Sequence, residues 1–455
     1  MANPGRLSQT TFSAARWRLL AAAFVLGYAA ALTAARWATG NPWLRWGPWA
    51  TVAIWAISLT LFRKAARQTA PQAPEGLIAL AYGLAGWGAL TIWALSPFFG
   101  LRQTLWLLLD TAAATLLLRV AHHWTTPPRA WVERALAGGL LLLFLTVPWG
   151  TTPLGYGPRL WLGCCGLFFQ PSEIYKLLLI IALGIWAEHP TPRHLWIAAG
   201  STALAIAVLG WQHDFGTAGF LLYLFVTLSY AISGNPRPLL ATLVLLPASA
   251  YLGYRWVPIV RLRAEAWLAP WQAQHTHGYQ IIQGLLALHR GGLWGTGLQT
   301  PVLTPLAHSD FIFTAIGQIW GWLATMSIIG LMALLTHSAF RIAQRLTGFH
   351  RAVALGIGLY YGGQSLLILG GNLRWLPLTG VALPFLAYGG SALLSNLLGL
   401  ALLLHLAQQA ASAPRPPAPH LQRAAQRLET ALWLGFALSA VATTYWTFIW
   451  RPPIP

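Results

Sequence analysis

The sequence predicts an all-α polytopic membrane protein of about 13 transmembrane helices. Three observations carry that expectation. Hydrophobic residues make up 56% of the 455 and charged residues only 8%, whereas a soluble domain carries about 25% charged residues. So few charges cannot cover a globule of this size, and lipid must do part of that work. Apolar runs of about 20 residues, enough to cross a hydrocarbon core of about 30 Å, recur along the chain. Basic residues sit mostly in the short segments between those runs, the pattern that sets membrane orientation.

In order, the runs cover 17–36, 43–62, 77–98, 103–121, 134–149, 171–188, 195–211, 214–233, 238–256, 310–336, 352–370, 381–406 and 430–450. Backbone groups in hydrocarbon must satisfy one another, so each run is expected to be a helix and not a strand. Arg6, Arg16 and Arg18 before Leu19–Thr33 look like the start of a secretory signal. Similar stretches follow throughout the chain, so this one reads as a first membrane anchor. Ala65–Glu75 and Ala411–Gln422 are polar, Pro/Ala-rich and read as cytoplasmic linkers. The longest stretch without a span is 257–309; its apolar piece Gly278–Leu288 suits the interface. The 26 Trp and 13 Tyr fit many interfacial positions.

With the N-terminus in the cytoplasm, inner segments hold 17 of the 28 Lys and Arg residues and outer segments hold 10, Lys176 lying within a span. An odd span number then places the C-terminus outside. The outer exceptions concentrate around Arg159, between Arg255 and Arg290, and at Arg374. The net charge of +19 reads as topology and affinity for anionic lipid, not as a nucleic-acid footprint. Cys164 and Cys165 are adjacent, which gives neither a disulfide framework nor zinc-ligand spacing.

Acidic residues number only nine, and an ionisable side chain at membrane depth is costly. Glu173, Lys176, Asp214 and Asp310 all fall at outer ends of spans, which predicts a polar cavity open to the outside. Glu173 and Lys176, three apart after Pro171, share a helical face; the plain structural reading is a local ion pair. Asp214 in Gln212-His213-Asp214-Phe215-Gly216-Thr217 and Asp310 in His308-Ser309-Asp310-Phe311 could equally be helix N-caps. Asp110 stands alone in the fourth span and reads only as a buried hydrogen-bond partner.

Together these segments resemble the SEDS family (shape, elongation, division and sporulation), the RodA and FtsW group. Gln170-Pro171-Ser172-Glu173 with Lys176 resembles its QPSE-x-x-K motif, and Asp214-Phe215-Gly216-Thr217 its QPDLGT turn. Gly278-Tyr279-Gln280 with Gln283 matches GYQ-x-x-Q, and Gly291–Leu298 matches GG-x-x-G-x-GL. His308–Phe313 resembles H-T-D-F-I-F. Pro377-Leu378-Thr379-Gly380, Leu383-Pro384-Phe385 and Tyr388–Ser391 match P-x-TG and LPF-x-SYGGSS, and Gly157–Trp161 is a looser match to GA-x-RW. Departures are His213 for a proline, Leu306 for an acid, Gln318 for a glutamate, and Ala387 and Ala392 for serines.

The resemblance implies a ten-helix SEDS-like membrane core at 77–407 with a large extracytoplasmic loop at 257–309. Residues 1–76 add two N-terminal spans and a basic linker, and 408–455 a linker and one more span. It implies an inverting peptidoglycan glycosyltransferase of the bacterial cytoplasmic membrane that joins lipid II units, with a class B penicillin-binding protein as partner. Asp310 is then the expected general base, because a sugar hydroxyl is a poor nucleophile without one. Arg159, Arg261, Arg263 and Arg290 are candidates to hold the undecaprenyl pyrophosphate leaving group, with Lys176 deeper. Glu173 and Asp214 would shape the cavity, Gln280 would contact substrate, and His308 would either tune the proton affinity of Asp310 or contact substrate. No cofactor is required, although a divalent cation could assist. Two other readings remain open: a lipid-linked oligosaccharide flippase, and a non-catalytic scaffold for a cell-wall synthase.

Overall fold

The computed structural model describes residues 14–121, 126–153, 155, 157–412 and 419–450. Its helices in chain order are α1 (Ala14–Ala35), α2 (Pro42–Thr69), α3 (Glu75–Leu95), α4 (Pro97–Ala121), α5 (Arg129–Trp149), α6 (Pro171–Glu188), α7 (Pro192–Trp211) and α8 (Phe215–Ser233). There follow α9 (Arg237–Trp256), α10 (Pro258–Leu268), α11 (Tyr279–Gly291), α12 (Ile312–Ala343), α13 (Gly348–Asn372), α14 (Gly390–Ser412) and α15 (Pro419–Thr444). Local chemistry explains many of the ends. Asn41 accepts from the Trp43 N–H to cap α2. Prolines open α6, α7 and α9, where no N–H partner is needed. Gly234 ends α8 in the left-handed region.

Among the described residues, ten helices are long and apolar enough to cross a membrane, or eleven if α9 and α10, bent by 108°, form one span. Two further members of the expected set, α2 and α6, carry charges that lower their hydropathy, Arg63, Lys64 and Arg67 in one and Glu173, Lys176 and Glu188 in the other. Both still pack as long helices against spanning neighbours, α2 on α4 and α6 on α5 and α13.

The structure corrects several expected boundaries. Helix α2 continues to Thr69, so the first linker shrinks to 70–74. The run at 381–406 becomes helical only at Gly390; Gly380 and Gly389 adopt positive φ and Pro384 lies between them, so 381–389 is a loop. Helix α12 is broken at Gly321 (φ 80°, ψ −173°). That break lets the Trp322 N–H reach the Gly292 carbonyl at 2.8 Å, so the glycine-rich turn after α11 plugs into α12. Part of 257–309 folds into α10 and α11.

One element had no sequence expectation. Strands β1 (Leu162–Cys164) and β2 (Leu167–Phe169) pair antiparallel with Leu162 opposite Phe169. Cys165 and Gly166 form their two-residue loop with φ of 57° and 87°, the sign of torsion a tight hairpin demands. Arg102 of α4 donates to the Gly166 carbonyl and fixes the hairpin tip.

Helices outside the expected core are tied to it by packing and by charge. Glu75 at the start of α3 pairs with Arg18 (3.0 Å), Arg63 (3.3 Å) and Arg67 (2.7 Å). Helix α15 packs on α8, α12 and α13, and its Glu429 meets His337 of α12 at 2.5 Å. Arg6, Arg415, Arg451 and positions 413–418 of the second linker lie outside the described residues.

Candidate functional site

The starts of α4, α6, α8, α12 and α14 converge at one end of the bundle. The Gln170 N–H donates to Ser391 Oγ (2.8 Å), linking α6 to α14. The Gly389 N–H donates to Gln103 Oε1 (3.1 Å), linking α14 to α4. Asn372 Nδ2, at the end of α13, donates to the Asp310 carbonyl (2.8 Å) just before α12. At Gly216 an added Cβ would lie 1.9 Å from the Thr379 carbonyl, so only glycine lets the start of α8 press on this loop.

Asp310 is presented by a tight turn in which the Leu306 carbonyl accepts from the Ser309 (3.0 Å) and Phe311 (3.2 Å) N–H groups. Leu306 holds φ 53°, an uncommon conformation for a side-chain-bearing residue. A methyl group added at Gly380 would sit 3.9 Å from Asp310 Oδ2. The Thr379–Gly380 turn therefore lies between Asp310 and the start of α8, which Asp214 caps by accepting from the Thr217 N–H at 3.1 Å.

Burial pushes the Asp310 carboxyl up to about 6; Asp214 pushes the same way, while Arg263 and a hydrogen bond from Ser309 pull back. Burial also raises Asp214, against hydrogen bonds from Thr217 and the charges of Arg263 and Lys176. Arg263 of α10 is thus the cation common to both acids. Helix α10 is held in place by Arg374, whose guanidinium donates to the Trp267 (2.8 Å) and Leu268 (3.0 Å) carbonyls.

Below the acids, Lys176 is wholly buried and pairs with Glu173 at 2.7 Å. Its Nζ also donates to Gln364 Oε1 of α13 (3.1 Å) and lies 5.5 and 5.4 Å from the Phe220 and Tyr360 ring centres. Ser395 of α14 donates to Glu173 Oε2 at 3.4 Å. Gln364 in turn donates to the Ala382 carbonyl (2.7 Å), so the cluster anchors the 381–389 loop. Removing one partner of a buried ion pair strands the other charge, at a cost of about 3–5 kcal/mol. Lys176→Met is accordingly expected to lower the thermal midpoint of the purified protein strongly. Glu173→Gln with Lys176→Met should recover most of the loss, as a thermal-shift comparison will show.

His308 stacks on Phe99 at 4.2 Å between ring centres, and its carbonyl accepts from the Tyr388 N–H at 2.9 Å. Burial lowers this imidazole to about 4, so it is neutral at physiological pH. Of the other expected cations, Arg261 turns back to the Tyr254 (3.3 Å) and Arg255 (3.1 Å) carbonyls. Arg159 and Arg290 are exposed, and Gln280 is half-buried in the first turn of α11. The Arg159 carbonyl accepts from Gln212 Nε2 (3.1 Å), which keeps the looser motif beside the Asp214 turn. Among the described residues no group of three or more His, Cys, Asp and Glu side chains gathers as a metal site.

Two departures from the family pattern have local explanations. His213 holds φ 62°, which a proline ring cannot adopt. Gln318 donates through Nε2 to the Pro301 carbonyl at 3.0 Å, a bond an ionised glutamate could not make. A cavity of about 220 Å³ among α4, α6, α13 and α14 has mainly apolar walls and does not include Asp214 or Asp310.

The sequence profile of the FtsW, RodA and SpoVE cell cycle proteins matches residues 79–412. A probable peptidoglycan glycosyltransferase FtsW from Geobacter sp. (strain M18) is 32% identical over 322 residues, covering 68% of this chain and 86% of the relative. The peptidoglycan glycosyltransferase RodA of Mycobacterium tuberculosis is 30% identical over 334 residues, covering 68% and 70%. A chain solved in a study of how a peptidoglycan synthase complex coordinates polymerization and crosslinking superposes with a TM-score of 0.63 at 25% identity, over 74% of this chain and 98% of its own. Thermus thermophilus RodA superposes with a TM-score of 0.56 at 25% identity, over 74% and 97%.

Proposed function

This chain belongs to the FtsW, RodA and SpoVE family of bacterial cytoplasmic-membrane proteins, and on that premise we propose that it is a peptidoglycan glycosyltransferase polymerising lipid II at the outer membrane face. The observation that carries the reading is the placement of Asp310 and Asp214 on either side of the Thr379–Gly380 turn, both within the field of Arg263. Asp310 takes the proton of the acceptor 4-hydroxyl as its oxygen attacks the donor's anomeric carbon. The new glycosidic bond forms with inversion as the bond to undecaprenyl pyrophosphate breaks. Charge on that leaving group is met by Arg263, whose charge acts on both acids, with exposed Arg159 and Arg290 available to the incoming lipid. Glu173 and Lys176 brace the loop beneath the acids and Asp214 caps α8, while His308 and Gln280 are proposed to contact the substrate. No cofactor enters the scheme, and a divalent cation would act on the pyrophosphate. In the orientation that sets this mouth outside, the N-terminus is cytoplasmic and the C-terminus extracytoplasmic.

The partner fitting this role is a class B penicillin-binding protein that crosslinks the product. Purified chain incubated with lipid II is expected to yield glycan strands, and more of them with the co-purified transpeptidase. Absence of polymer in both conditions overturns the enzyme reading. Lipid translocation in liposomes that persists in Asp310→Ala would favour a flippase instead.

A further inference from the structure

Asp110 has a setting its solitary place in the sequence did not indicate. It is 3% exposed, and its Oδ2 has no hydrogen-bond partner among the described residues; the expected partner is not there. The carboxylate lines a cavity of about 130 Å³ with Trp106, Phe168, Phe169 and Ser391. Each wall has its own support. Trp106 fits because residue 390 is glycine, whose added Cβ would meet the indole at 2.4 Å. The aromatic pair comes from β2, whose hairpin is pinned by Arg102. Ser391 accepts from the Gln170 N–H at 2.8 Å, so the same junction of α6 and α14 separates this cavity from the Glu173–Lys176 cluster.

A buried carboxyl without a partner is costly to ionise, and a cationic ligand that donates to it offsets that cost. Aromatic faces attract cations through their quadrupole. A carboxylate within an aromatic wall therefore selects an ammonium group over a neutral hydroxyl. We propose that Asp110, Trp106, Phe168 and Phe169 form a binding subsite for a small alkylammonium group, beside the candidate active site and separate from it. The ammonium could come from an ethanolamine phospholipid headgroup or from an amine carried by the lipid-linked substrate.

The test reads binding, and so does not depend on the glycosyltransferase reading. The full chain in phosphatidylglycerol nanodiscs is dialysed against radiolabelled ethylammonium, with ethanol as the neutral comparison. Saturable ethylammonium binding is expected, weakened by about tenfold or more in Asp110→Asn through loss of a charge-assisted hydrogen bond. Leu394 also lines the cavity; Leu394→Phe, which fills it and keeps the carboxylate, should weaken binding similarly and guards against misfolding of the first variant. Displacement by phosphatidylethanolamine assigns the site to the headgroup. Displacement by lipid II with a free side-chain amine, but not by its N-acetylated form, assigns it to the substrate. No saturable binding, or equal binding in wild type and both variants, overturns the proposal.

Discussion

Replacing Asp310 with asparagine is expected to slow lipid II polymerisation by about 100- to 10,000-fold, the range contributed by a positioned general base. The fold should survive, because Asp310 is tied to its neighbours through the backbone: Asn372 donates to its carbonyl, which asparagine retains. The amide has nearly the shape of the carboxylate but cannot take the hydroxyl proton. It also removes the repulsion from Asp214, so any change in thermal midpoint should be small or upward. Initial rates of strand formation, set beside the melting curve, separate loss of chemistry from loss of fold. A variant that melts normally and still polymerises at the native rate would remove Asp310 from the reaction.

Arg263→Ala carries the second-largest expected effect. Hydrogen bonds to charged groups contribute about 1.5–3 kcal/mol, so losing this cation should cost about 10- to 100-fold in kcat/KM. It should also move a pH limb. Arg263 holds the Asp310 carboxyl down against burial and Asp214, so in its absence the carboxyl rises and the acid side of the profile shifts to higher pH. Arg263→Lys should be intermediate, since an ammonium keeps the charge and loses the planar fork. Arg261→Ala is the contrast: that guanidinium is satisfied by the Tyr254 and Arg255 carbonyls, and its loss should change rates little. Equal losses at both positions would point to diffuse electrostatics.

The contrast between those arginines also shows where sequence reading stops. Membrane helices were legible because hydropathy and length act locally, and Asp310 and the Glu173–Lys176 pair because acids are scarce in apolar spans. Nothing local distinguishes Arg263 from Arg261; the 108° bend after α9 and the clamp of Arg374 on α10 do so. Gln364 and Ser395, which complete the Glu173–Lys176 cluster, and Asn372, which holds the Asp310 backbone, are uncharged residues inside apolar helices. The cost of burying an amide without a partner could have flagged Gln364 and Asn372. The β1–β2 hairpin escaped because its strands are three residues each, too short for an alternating pattern. The 381–389 loop reads as part of a span because its side chains are as apolar as those of a helix, and only Pro384 and the flanking Gly380 and Gly389 betray it.

The pH dependence of kcat/KM for lipid II polymerisation tests the central claim most directly, since it reads the proton acceptor in the free protein. Burial sets Asp310 at about 6, and a base with a raised pKa is lost by protonation as pH falls through that value. His308, lowered to about 4, does not titrate in the same window. The account predicts a single acid limb with a midpoint near pH 6, moved upward by Arg263→Ala. A rate that stays level from pH 7 to pH 5 in the native protein would contradict it.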